Sequence, residues 1–348
     1  MYKREKGEKI LLVSHELTYS GAPRSLFNIA VLLKNQGCYV EIWSLLGGDF
    51  SEEISKANIK LKVINDVNAI NYDDVSKFQI VILNTFFTAQ FVQKMQSRTR
   101  TILYIREAQN IPELANACNL DEENIRRANE IICVSEYAQE FIKNRYSPKN
   151  IRVIHNFVND VYDGTLNIVK NNTIHFIISG TYEYRKGYDM VLEAFNYMPE
   201  ELQSKTRLHL VGRKPEWARK YWEPLQKKYN YRITDHGEIK DREELMGLYR
   251  QMNVFVVASR DESCSLVALE GAMLGKALIM SENVGAKYLD AKKKGIYKTE
   301  DAWELCRRMC ELTSRRELLI RGIEMRKSYK KTSTAKIYKG KLKEYLLK

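Results

Sequence analysis

Short apolar runs recur along this chain with room for about one helix between each pair, and that rhythm limits the fold more than any other feature. Residues 10–14, 39–45, 80–84, 101–105, 131–135 and 151–154 are rich in Ile, Leu and Val. Each is short for a helix, and most are apolar throughout rather than alternating, as in strands covered on both faces. Residues 21–34 read as a loop and helix between the first two. A second series follows at 174–179, 207–211, 231–236, 254–258 and 277–280. Strand and helix in alternation argue for a parallel sheet with helices on both faces. The stretch 156–172 is polar, with little period, and reads as a linker. The expected fold class is therefore α/β, with two Rossmann-like domains. They are placed at 1–160 and 173–330, with a basic terminal helix over 331–348. The 348 residues suffice for two domains of ordinary size. Ligands of such sheets bind beyond the carboxyl ends of the strands.

The richest segment is Asp261–Lys276. It follows the apolar run 254–258 and becomes rich in Ala, Leu, Glu and Met, which favour helix. Glu262 and Glu270 stand eight positions apart, one in the turn and one about two turns into the expected helix. Two carboxylate acceptors thus lie beside a helix N-terminus, whose amides attract phosphate. A sugar on a nucleoside diphosphate has hydroxyls at both ends and negative charge between them, and it fits this layout.

This segment resembles the Glu-x7-Glu signature of the retaining, GT-B-fold glycosyltransferases of family 4 (glycosyl transferases group 1). The resemblance implies that Glu262 and the amides of Ser263, Cys264, Ser265 and Leu266 hold the donor sugar. It implies that Glu270 holds the ribose. Ser263-Cys264-Ser265 stands where the family usually has Gly-Phe-Gly. The fold implied is GT-B: two Rossmann-like domains with parallel sheets facing across a cleft, the last helix crossing back to the N-terminal domain.

A second signal is the run Gly180-Thr181-Tyr182-Glu183-Tyr184-Arg185-Lys186-Gly187, where a strand ends and a loop carries two cations. A departing diphosphate gains negative charge, which an Arg fork and a Lys point charge stabilise. The loop is similar to the family's Arg-Lys-Gly loop, with Thr181 where many members have Arg. Gly180 and Thr181 are placed beside the donor, and Arg185, Lys186 and Glu262 are the expected catalytic group. By the same resemblance Gly212, Arg213 and Ile239 border the nucleotide. On the acceptor side, Ser20, Gly21, Ala22 and Arg24 follow the first strand and are similar to the family's Gly-Gly-Ala loop. Arg106 and Glu107 end another strand, where many members place a His; either suits sugar hydroxyls or an anionic acceptor. His15 ends the first strand, where lining a site competes with an ordinary structural role, whereas His155, His175, His209 and His236 read as structural.

Charge is uneven. Residues 291–348 hold 18 Lys and Arg against 7 Asp and Glu, which is nearly all of the chain's net +12. Such a face suits an anionic membrane surface, and nothing in the motifs suggests nucleic acid. The six cysteines include no Cys-x-x-Cys pair and are expected to be reduced thiols in a cytoplasmic protein. Asp-x-Asp does not occur, and no essential metal or other cofactor is expected. No apolar run approaches the ~18 residues of a membrane span, so membrane contact would be peripheral. The resulting expectation is a transferase that moves a hexose-type sugar from a nucleoside diphosphate to a glycan or lipid-linked acceptor, in surface polysaccharide biosynthesis. Two other readings share the architecture: a catalytically silent subunit that partners an active transferase, and a nucleotide-sugar epimerase.

Overall fold

The computed structural model describes residues 7–65, 68, 70–169 and 171–346. The chain divides into two compact units, one of Met1–Asn156 with Lys339–Lys348 and the other of Phe157–Tyr338.

The first unit holds a sheet of seven parallel strands: β1 Lys9–Ser14, β2 Tyr39–Ser44, β3 Lys60–Val63, β4 Ile80–Asn84, β5 Arg100–Ile105, β6 Glu130–Cys133 and β7 Ile151–Val153. Their order is β3-β2-β1-β4-β5-β6-β7. The second unit has six parallel strands: β8 Ile174–Ser179, β9 Thr206–Val211, β10 Ile233–Asp235, β11 Val254–Val257, β12 Ala277–Ser281 and β13 Ile296–Tyr297. They run β10-β9-β8-β11-β12-β13. In each sheet the order reverses beside the first strand, between β1 and β4 and between β8 and β11. At such points neighbouring strands send their chains to opposite faces, which opens a crevice at their carboxyl ends.

The apolar runs bury as their composition dictates. Leu11, Val13, Val81, Leu83 and Leu103 join one core; Phe176, Ile178, Leu208, Val254, Val256 and Ile279 join the other. Burial of each such side chain stabilises by about 2 kcal/mol. Two edge strands lay outside the sequence reading. β3 is Lys-Leu-Lys-Val, and its lysines suit an exposed edge; β13 has only two residues.

Two other expectations change. The polar stretch 156–172 packs with the second unit from Phe157 onward. Asn167 is buried, and its amide donates to the carbonyls of Asn253 at 2.9 Å and Leu318 at 3.3 Å. The terminal helix of 331–348, whose last two residues lie outside the described ones, is interrupted. One helix spans Arg315–Thr332 and a second Ala335–Leu346. Ser333 makes the break: it is buried, its carbonyl accepts from Val158 N at 3.3 Å, and its hydroxyl meets Tyr288 Oη at 3.0 Å. Thr334 Oγ1 then accepts from Ile337 N at 3.3 Å and restarts the helix. At its far end, Arg100 of β5 donates to the carbonyls of Leu346 and Tyr345 at 2.7 and 3.0 Å. That satisfies acceptors a helix end leaves open.

Candidate active site

In the second unit the loops after β8 and β11 meet. The loop after β8 carries Arg185 and Lys186 on a single helical turn, Tyr184–Lys186. Gly187 closes it with φ +70°, and a Cβ there would lie 2.2 Å from the Ala258 carbonyl oxygen, so only glycine lets the loop approach the end of β11. The next strand end is equally close: a Cβ on Gly212, at φ +153°, would lie 1.6 Å from the Gly180 carbonyl oxygen.

Glu262 gathers the two cations. Its Oε2 accepts from Lys186 Nζ and lies 3.7 Å from Arg185 Nη1. Arg185 also donates to Glu183 Oε1 at 2.5 Å and to the Asp261 carbonyl at 3.1 Å. Burial works against the Arg185 charge, but Glu262, Glu183 and Asp261 outweigh it and raise its pKa. The Glu262 backbone is clamped, its N–H on the Asn283 carbonyl at 3.2 Å and its own carbonyl on Gly285 N at 2.7 Å. The expected catalytic residues Arg185, Lys186 and Glu262 are therefore brought together.

The following helix is Leu266–Met273. Ser265 caps it, its hydroxyl accepting from Ala268 N at 3.2 Å. Ser263, Cys264 and Ser265 are all buried. Because the helix starts only at Leu266, Glu270 sits little more than one turn in, not two. Glu270 is also buried, and its Oε1 lies 2.7 Å from Arg242 Nη2. Thr181 and Gly180 are half-buried at the end of β8; Gly212 and Ile239 are half-buried and Arg213 is exposed in the loops after β9 and β10.

Sequence reasoning missed the braces. Tyr188 Oη reaches the carbonyls of Gly180 and Val211, each at 2.7 Å, pinning two strand ends. Asp235 accepts from Tyr182 Oη at 2.9 Å, from Gly237 N at 3.0 Å and from Lys214. His175, His209 and His236 form a chain of imidazoles, with ring nitrogens 2.9 Å apart at both links. Burial, the two flanking histidines and Arg207 lower the His209 pKa to about 3, so the central ring is neutral. Motif spacing carries no trace of most of these pairings, because their partners come from different strands and the loops that follow them.

In the first unit, the helix Gly21–Lys34 begins where the Ser20 loop ends. Ser20 does not cap it; its hydroxyl instead donates to Glu16 Oε1 at 3.2 Å. Arg106 lies over the Tyr104 ring, 4.3 Å from its centre, and donates to Asn84 and, at 2.8 Å, to Asn156. Asn84 donates to the Ala22 carbonyl at 3.3 Å, and Ser25 to Asn156 at 3.1 Å. Ala22 and Arg106 thus belong to one polar network at the carboxyl ends of β4 and β5. Arg24 is half-buried and Gly21 exposed at the same helix start. Glu107 turns away from this network, accepting from the amides of Phe86 at 2.9 Å and Arg106 at 3.1 Å. Burial raises its pKa, and those amides offset only part of that rise. It holds the turn at Thr85, whose φ of +82° is rare for a β-branched residue. His15 stacks on Phe87 at 4.8 Å and meets Thr85 Oγ1 at 3.1 Å. Burial lowers its pKa, against the opposing pull of Glu16.

Two family models cover most of the chain: glycosyl transferases group 1 over residues 172–315 and glycosyl-transferase family 4 over residues 6–155. The chain belongs to this glycosyltransferase family. No curated protein matches its sequence significantly. Among solved structures, the glycosyltransferase is similar to Anabaena HepE in complex with UDP, with a TM-score of 0.80 at 16% identity over 97% of this chain and 99% of that one. A glycosyltransferase from Rickettsia africae matches with 0.78 at 16% identity, over 98% of both chains. WaaG, a glycosyltransferase involved in lipopolysaccharide biosynthesis, matches with 0.69 at 14% identity, over 96% of this chain and 98% of that one. The fold is accordingly GT-B. Among the described residues, no helix is long and apolar enough to cross a membrane, and no group of three or more His, Cys, Asp and Glu has metal-ligating geometry.

Proposed function

We propose that the protein is a retaining hexosyltransferase that takes its sugar from a uridine diphosphate donor and passes it to a hydroxyl of a glycan or lipid-linked acceptor. The observation that carries this reading is the convergence of Arg185, Lys186 and Glu262 on the loops after β8 and β11. Cleavage of the bond between the anomeric carbon and the diphosphate oxygen leaves negative charge on the diphosphate. Arg185 and Lys186, both partly buried, stabilise that charge. Glu262 holds the two cations in place and accepts from sugar hydroxyls. The acceptor hydroxyl attacks on the face the diphosphate leaves, and its proton passes to the departing phosphate oxygen. No protein nucleophile and no metal takes part in this scheme. Glu270 accepts from the ribose, with Gly180, Thr181, Gly212, Arg213 and Ile239 along the nucleotide and Ser263–Leu266 along the sugar. HepE, crystallised with UDP, supports the choice of base.

Ser20, Gly21, Ala22, Arg24 and Arg106 take the acceptor side, and Glu107 positions the Thr85 turn. The likeness to WaaG supports surface polysaccharide assembly. The basic segment 291–348 suits the anionic cytoplasmic face of a membrane; binding to anionic vesicles at low salt, lost at high salt, is the expected behaviour.

Thermal shift against a panel of nucleotide sugars tests the donor assignment. A ligand that binds only the folded state at 100 times its Kd stabilises by about 2.7 kcal/mol. A UDP-sugar should therefore raise Tm in wild type by several degrees, and much less in Glu262→Gln. Equal shifts in both proteins, or none with any nucleotide, would contradict the reading.

A further inference from the structure

Arg242 opens the helix Arg242–Gln251, directly after the loop that follows β10. Asp241 caps that helix, accepting from Glu244 N at 2.7 Å, so the place where Arg242 leaves the backbone is fixed. Its Nη2 lies 2.7 Å from Glu270 Oε1, across from the middle of another helix. Its Nη1 is buried and has no hydrogen-bond partner among the described residues. A buried, charged N–H group with no acceptor is unfavourable and uncommon in folded proteins. Here it lies beside a buried carboxylate whose own partner is the same guanidinium.

The chemistry of this pair selects its ligand. A carboxylate oxygen accepts and a guanidinium N–H donates, side by side. A vicinal diol satisfies both: one hydroxyl donates to the carboxylate, and a hydroxyl oxygen accepts from the N–H. A phosphate would meet the negative charge of Glu270, and a nucleobase has no diol. On the donor reading above, the group at Glu270 is the nucleotide ribose. We propose that Arg242 is a specificity-determining residue of the donor site, its Nη2 orienting Glu270 and its Nη1 donating to the 2′,3′-diol of the ribose. The pair would then read ribose against sugars that lack the diol.

Calorimetric titration of UDP and of 2′,3′-dideoxyuridine diphosphate tests this, with wild type, Arg242→Lys and Arg242→Met. Hydrogen bonds to charged groups predict that wild type prefers UDP by roughly 10- to 100-fold. Lysine keeps a positive charge near Glu270 but loses the second, fixed N–H. The preference should fall about tenfold in Arg242→Met and severalfold in Arg242→Lys, while affinity for the dideoxy ligand stays within about threefold. Loss of affinity for both ligands in equal proportion would assign Arg242 a merely structural role and overturn the proposal. Tighter binding of UDP by Arg242→Met would overturn it too, because Arg242 would then occupy the ribose position. Wild type that binds neither ligand would instead sink the donor reading itself, a result distinct from wild type that binds UDP selectively while both variants keep its selectivity. If Arg242→Met does not fold, the ratio in Arg242→Lys decides alone.

Discussion

Replacing Arg260 with methionine should loosen the loop that carries both cations. Arg260 follows β11 and donates to Asp189 through two bonds, of 2.9 and 2.7 Å. It also donates to the Tyr184 carbonyl at 2.6 Å, lies 3.7 Å from the centre of the Tyr184 ring, and pairs with Glu300 at 2.5 Å. Its own N–H meets the Arg185 carbonyl at 2.8 Å. The side chain is only 11% exposed, against 25% for Asp189. Breaking a fully buried pair costs roughly 3–5 kcal/mol, and the partial exposure of Asp189 brings the figure to about 2–3 kcal/mol. For a unit of this size that is about 5–10 °C in Tm. Burial pushes the Asp189 carboxyl upward, but its bonds from Arg260 and Tyr221 win and leave its pKa below the usual value. A depressed carboxylate stabilises above its unfolded pKa, near ~4, and that contribution is lost as pH falls through the lower folded value. The cost of Arg260→Met should therefore be full at pH 7 and shrink as Asp189 becomes protonated. Scanning calorimetry of Arg260→Met, Asp189→Asn and the double variant, at pH 7 and again in acid where Asp189 is protonated, checks this. Additive single effects, a Tm change under about 2 °C, or an undiminished cost in acid would refute the reasoning.

Two further outcomes follow from local geometry. Gly212→Ala sets a Cβ against the Gly180 carbonyl, so it should cost about 2–4 kcal/mol in urea unfolding, with reduced nucleotide affinity. Below about pH 6.5 the unfolded chain protonates His209 while the folded protein, with a pKa of about 3, does not. Stability is thus lost as pH falls, by about 1–2 kcal/mol from this residue between pH 6.5 and 5, and His209→Asn should flatten that slope in urea titrations at the two pH values.

The strands were legible where a short apolar run is buried on both faces, as in 80–84 and 174–179, whose bounds coincide with β4 and β8. β3 and β13 were not: one alternates lysine with apolar residues and the other is a two-residue edge. Glu262, Arg185 and Lys186 could be named in advance because each stands in a short motif after a strand. Arg242 and Arg260 could not. Arg242 meets Glu270 from another helix, and Arg260 meets Asp189 over a separation of 71 residues. Such pairings are decided by the packing of whole elements, and no local spacing encodes them. The break at Ser333 was hidden for a similar reason, since it depends on Val158 and Tyr288 arriving from elsewhere in the second unit.

The central claim is that this chain transfers a sugar from a nucleotide with the charge on Arg185 and Lys186. It is tested most directly by following release of UDP from an isotopically labelled UDP-sugar in the presence of a lipid-linked glycan fraction, with NMR of the anomeric centre in the product. The account predicts UDP release coupled to a new glycosidic bond of unchanged anomeric configuration, reduced at least about a hundredfold in Lys186→Ala and Arg185→Ala by loss of charge stabilisation. An inverted product, or turnover that survives the loss of both cations, would contradict it.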